Sequence, residues 1–147
     1  LLFRAELSGV EVPVERWKKL SAYALKRFPK PGLGFADLHA AIAHARSGNR
    51  DALEVIIDCA DGPVSDLTNR LALGYRYMED ENWAKAGEQF CEAMHDQARI
   101  GGSNAQRDLI DLSFAACLVR DGRRQEARTI LSITRPRAIA KNLVAGL

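Results

Sequence analysis

The sequence predicts an all-α fold, a solenoid of about three helical hairpins with flanking helices. Three observations predict it. Apolar residues recur at three- and four-residue spacing along most of the chain, and strand-like alternation is almost absent. Short turns rich in Gly, Pro, Asn and Asp separate the helical stretches. The small and large residues of the clearest hairpin return at matching positions 33 residues earlier and 41 residues later.

The elements follow in order. Leu1–Gly9 reads as the last turns of a helix. With no initiator Met, the 147 residues are expected to be one helical-repeat domain (1–147) from the C-terminal part of a longer protein. Between Val14 and Phe28, Trp17, Leu20, Ala24, Leu25 and Phe28 recur at helical spacing, and Pro29, Pro31 and Gly32 end the run. Phe35 to Ser47 follows, with Leu38, Ala41, Ile42 and Ala45 on one side. Gly48 breaks it, and Asn49 is suited to cap the next helix, which carries Leu53, Ile56, Ile57 and Ala60. After Gly62-Pro63, Ser65 or Asp66 is expected to cap a helix reaching about Met78, and Asn82 one from Trp83 to about Ile100. Ser103 starts another that ends near Asp121-Gly122. Arg124 to Ile133 is helical until Pro136, and Arg137 to Leu147 forms a final helix.

The stretch ARIGGSNAQRDL (98–109) has two readings. As punctuation, Gly101 takes the left-handed conformation that closes a helix, and Ser103 with Gln106 forms a capping box for the next. As an anion site, Arg99, Ser103 and Arg107 would gather around a helix start. No strand precedes the glycines and no Gly-Lys-Ser/Thr follows them, so punctuation is preferred.

The best-defined hairpin is LALGYRYMEDENWAKAGEQFCEA (71–93). Leu73, Gly74 and Tyr77 belong to its first helix; Ala86, Phe90 and Ala93 belong to its second. Small residues allow a close helix crossing and large ones fill it. The equivalent positions are Ala40, Ala41, His44, Leu53, Ile57 and Ala60 before it, and Phe114, Ala115, Leu118, Ala127, Leu131 and Thr134 after it. Leu53 departs from the pattern, since a small residue is expected there. The hairpins are placed at about 35–60, 65–100 and 104–134.

This L-G-x2-Y-x8-A-x3-F-x2-A spacing resembles the tetratricopeptide repeat. LLFRAELSGVEVPVERWKKLS, FADLHAAIAHARSGN and IGGSNAQRDL, in that order, resemble the C-terminal region of the tetratricopeptide repeat protein 38 family. Members carry a similar IGGSHAQRD stretch, where this chain has Asn104 in place of that His. The resemblance implies a tetratricopeptide-like solenoid and carries no catalytic activity with it. It also implies that the first helix of each hairpin lines a groove. That face holds Phe35, Leu38 and Ile42, then Leu71, Tyr75 and Met78, then Leu109, Leu112 and Ala116. Tetratricopeptide domains that clamp a peptide carboxylate use Lys, Arg and Asn there; this face is apolar instead. Such a strip should be covered by another helix: the chain's own terminus, the missing N-terminal region, a second copy, or a helical partner.

Composition narrows the function classes. The net charge is +2, with acids and bases interspersed, which argues against a nucleic-acid partner. No apolar run is long enough to suggest a membrane span. Cys59, Cys91 and Cys117 form no C-x-x-C pair and read as buried free thiols of a cytoplasmic protein. His39 and His44 are five apart, the wrong spacing for a helical metal pair, and His95 has no nucleophile beside it in sequence. His44 takes the place of Tyr77 and reads as hairpin core. Asp108 and Asp111 read as exposed acids with Arg107 or Arg120 as pairing partners; Arg120–Arg124 reads as a soluble turn, and Trp83 as packing on the turn before it. No metal, cofactor or catalytic constellation is expected. The function expected is a non-catalytic protein-interaction or assembly module. The alternatives are an accessory domain of an enzyme whose catalytic part is absent, or a pocket for an apolar small molecule.

Overall fold

The computed structural model describes residues 1–101, 104–136 and 143–147, and of Ala105 and Gln106 only the backbone. Among the described residues the chain is all-helical, with eight α-helices and no strand. They are α1 (Leu2–Leu7), α2 (Val14–Arg27), α3 (Gly34–Ser47), α4 (Arg50–Cys59), α5 (Ser65–Glu79), α6 (Trp83–Asp96), α7 (Asn104–Arg120) and α8 (Arg124–Thr134). A 3-10 turn, Gln97–Ile100, follows α6.

From α2 to α8, each helix packs mainly on its chain neighbours, and α3 also packs on α5. Two expected caps are in place: Asn49 accepts from the Ala52 amide and Asn82 from the Lys85 amide, each at 3.3 Å. The expected cap at Ser65 or Asp66 is not used. The chain has already turned, with the Ser65 amide donating to the Gly62 carbonyl, so Ser65 is the first helical residue and Val64 precedes it.

The repeat positions are mostly interior. Ala41, Gly74 and Ala115 are buried on the first helices of the hairpins, as are Leu53, Ala86 and Ala127 on the second. Gly74 shows why a small residue is required: a Cβ there would stand 2.9 Å from the Phe90 ring. Leu53, the departure from the pattern, is also buried. Helix α7 is buried all round from Leu109 to Val119, so it carries the centre of the core.

Four further expectations change. The helix from Trp83 does not run evenly to Ile100; its last turn tightens to 3-10 geometry. Gly101 has the positive φ expected, but its φ of 74° and ψ of −157° lie outside the left-handed helical region. That conformation is open essentially to Gly alone. Ser103 and its bond with Gln106 lie outside the described residues. Leu143–Ala145, part of the expected last helix, form a turn and bend, and Arg137 to Asn142 lie outside the described residues. Cys59 and Cys91 are exposed and only Cys117 is buried, because the first two occupy the outer faces of α4 and α6.

Candidate functional site

The apolar strip expected on α3, α5 and α7 is interior. Leu38, Ile42, Leu71, Tyr75, Leu109, Leu112 and Ala116 are buried, Met78 is half-buried, and Phe35 is exposed. Helix α1 covers much of it. Phe3 stands edge-on to Tyr75 and Trp17, with ring centroids 5.5 and 6.3 Å away. Phe3 and Leu7 are buried, and each such side chain contributes roughly 1.5–3 kcal/mol.

Two charge clusters hold α1 down. Arg46 of α3 pairs with Glu6 of α1 and Glu79 of α5. Burial works against the Arg46 charge, but its bonds to both carboxylates outweigh burial and raise its pKa. Burial dominates at Glu79 and raises its pKa despite Arg46. In the second cluster Arg4 of α1 pairs with Asp108, and Arg135 pairs with both Asp108 and Asp111. These acids were expected to be solvated. Asp111 is instead buried, because α7 is enclosed on all sides, and burial raises its pKa. The C-terminal turn completes the seal: the Ala145 amide donates to the Leu7 carbonyl at 2.8 Å, and Val144 is buried. A residual cavity of about 160 Å³ remains between Arg46, Met78, Trp83 and Arg120.

What stays open lies beside α1. A cleft of about 970 Å³ runs between α1, α2 and α3. Its floor includes Trp17, Ala24, Ala40 and Ile42; its walls include Leu20 and Tyr23 of α2, Phe28 just after it, and Leu33 and Phe35 before and on α3. Tyr23 is 56% exposed, Leu33 63% and Phe35 44%, a density of uncovered large apolar side chains found nowhere else among the described residues. His39 rests on the Phe35 ring, centroids 4.6 Å apart, and its Nδ1 is 3.0 Å from the Phe35 carbonyl oxygen.

The electrostatics of this edge are one-sided. From Val14 to Pro31 the sequence has six Lys and Arg against one acid, Glu15. Only Lys18 pairs with that acid; Arg16, Lys19, Lys26, Arg27 and Lys30 form no ion pair among the described residues. Elsewhere arginines are mostly paired, as at Arg46, Arg50, Arg70, Arg76, Arg99 and Arg123. No Asp or Glu among the described residues lines the cleft. The sequence reading passed over this segment because the whole-chain charge is balanced; a count over α2 alone exposes it.

The other candidates have structural partners. Arg99 donates to Asp66 at 2.8 and 3.0 Å and to the Pro63 carbonyl, tying the 3-10 turn to the start of α5. Arg107 pairs with Asn104 instead. One polar pair escaped the sequence reading: Ser21 Oγ lies 2.8 Å from His44 Nδ1, and Asn49 Nδ2 donates to Ser21 Oγ at 3.2 Å. Both Ser21 and His44 are buried, and neither borders the cleft or the small cavity. Burial also lowers the His44 pKa and pushes the Cys117 thiol up to about 12. Among the described residues no group of three His, Cys, Asp or Glu could hold a metal ion, and no helix is long and apolar enough to cross a membrane. Set against known proteins, the chain matches no family model, no curated protein and no solved structure.

Proposed function

We propose that this chain is a non-catalytic protein-interaction module that receives an apolar helix in the cleft between α1, α2 and α3. One observation carries the reading: Leu20, Tyr23, Leu33 and Phe35 stand exposed around one continuous apolar hollow. An uncovered patch of this kind is the mark of a binding surface. Packing between chain neighbours and the buried small residues Ala41, Gly74 and Ala115 support a tetratricopeptide-like solenoid as its scaffold. Thiols without disulfide partners fit a reducing, cytoplasmic setting.

A second reading has its own support. About 970 Å³ lies at the upper end of the volumes that hold small apolar ligands, so the cleft could take such a molecule instead. Selection from a display library of helical peptides separates the two. Peptides enriched on the intact chain should lose binding to a Leu20→Asp/Phe35→Asp variant that keeps its circular dichroism. No enrichment, or enrichment indifferent to those substitutions, overturns the protein-docking reading.

A further inference from the structure

The cations around the cleft specify the chemistry of its occupant. Leu20 and Tyr23 form its α2 wall. Arg16, Lys19, Lys26 and Arg27 lie three or four residues from one or the other, which places them on adjoining helix faces. All four are exposed, and none has an acidic partner among the described residues. The Arg27 guanidinium carbon sits 5.9 Å from the Tyr23 ring centroid, so cation and apolar wall form one surface. No Asp or Glu among the described residues lines the cleft, and four exposed cations of α2 adjoin its apolar wall.

Resting on the reading that the cleft docks a protein segment, we infer that its occupant is an acidic amphipathic helix of a partner protein. Such a helix lays Leu- or Phe-type anchors at i, i+3, i+4 and i+7 into the hollow and turns Glu and Asp toward the rim of α2. The opposite charges steer its approach and fix its direction, and the apolar floor supplies most of the affinity. Basic amphipathic surfaces also meet anionic membranes. Burial argues against that here: the floor residues Trp17, Ala24 and Ile42 are buried at the bottom of the hollow, where a flat lipid surface does not reach them.

The test reads the composition of the selected peptides. A library of helical peptides of about 16 residues, randomised on the polar face, is selected on the intact chain and counter-selected on Leu20→Asp/Phe35→Asp. The expected pool is rich in Glu and Asp. Its members should bind about tenfold more weakly to an Arg16→Glu/Lys19→Glu/Arg27→Glu variant, and more weakly as salt rises from about 50 to 500 mM. A pool that depends on the cleft but is neutral or basic overturns this inference and leaves the docking reading standing. No cleft-dependent pool removes both. Cosedimentation with vesicles of phosphatidylcholine and phosphatidylserine, lost in the same charge variant while no acidic pool emerges, would assign the surface to a membrane and also overturn the inference.

Discussion

Phe3 of α1 stands edge-on against Tyr75 of α5, ring centroids 5.5 Å apart and planes at 85°. Tyr75 meets Phe90 of α6 in the same manner at 5.0 Å. The aromatic chain therefore runs from the first helix to the middle of the stack. Burial pushes the Tyr75 phenol well above its usual range, and its oxygen lies 3.4 Å from Ser113 Oγ. A six-residue helix has too few internal bonds to persist alone, so α1 holds its place through these contacts.

Phe3→Ala should therefore release α1. Large-to-small changes at buried aromatics cost about 3–5 kcal/mol. Chemical denaturation should show a loss in that range, and amide exchange should accelerate over residues 2–7 before the global transition. A loss below about 1 kcal/mol would mean that α1 contributes little to the fold.

Two glycines on neighbouring helices should respond in opposite directions to alanine. A Cβ at Gly74 would meet Phe90 Cζ at 2.9 Å, whereas one at Gly87 would meet Cys117 and Phe114 at 3.6 Å or more. Gly74→Ala should destabilise by about 1–3 kcal/mol through overpacking, and Phe90→Leu in the same chain should recover part of it. Gly87→Ala should stabilise by up to about 1 kcal/mol, since helical glycine is unfavourable. Urea unfolding of the variants gives both signs directly.

His44 sets a pH dependence. Burial lowers its pKa below 6.5, so near that pH the unfolded chain takes up a proton that the folded chain refuses. Its contribution is complete above about pH 6.5 and is lost as pH falls toward the folded value. Glu79 and Asp111 have raised pKa values and act with the opposite sign, losing stability as pH rises above 4.5 and 3.8 respectively toward their folded values. Comparison with His44→Gln isolates the histidine. The stability lost between about pH 7.5 and 5.5 should be smaller in the variant than in the wild type. An equal loss in both would assign the effect elsewhere.

Much of the fold was legible because its signals are local. Asn49 and Asn82 cap at fixed offsets, and Gly74 with Phe90 belong to one hairpin motif. The cover over the core was not legible in detail. Leu2–Leu7 is too short to show a helical period, and its partners are remote: Glu6 and Arg46 are 40 residues apart, Arg4 and Asp108 104. The cleft lies between these cases. In α2 only Trp17, Ser21 and Ala24 are buried, so Leu20, Tyr23 and Leu25 exceed what packing needs. With the unpaired cations beside them they mark a surface that one sequence could have disclosed. The expected strip instead placed weight on Leu71 and Tyr75, which α5 turns into the core.

On the proposal above, the exposed wall of the cleft serves binding while the strip beneath α1 serves the fold. The most direct measurement is the binding isotherm of a cleft-selected helical peptide on the intact chain and on Leu20→Asp/Phe35→Asp, with circular dichroism recorded on both. The affinity should be at least about tenfold weaker for the variant, with its helical signal unchanged. Equal affinity, or a variant that unfolds, would contradict it.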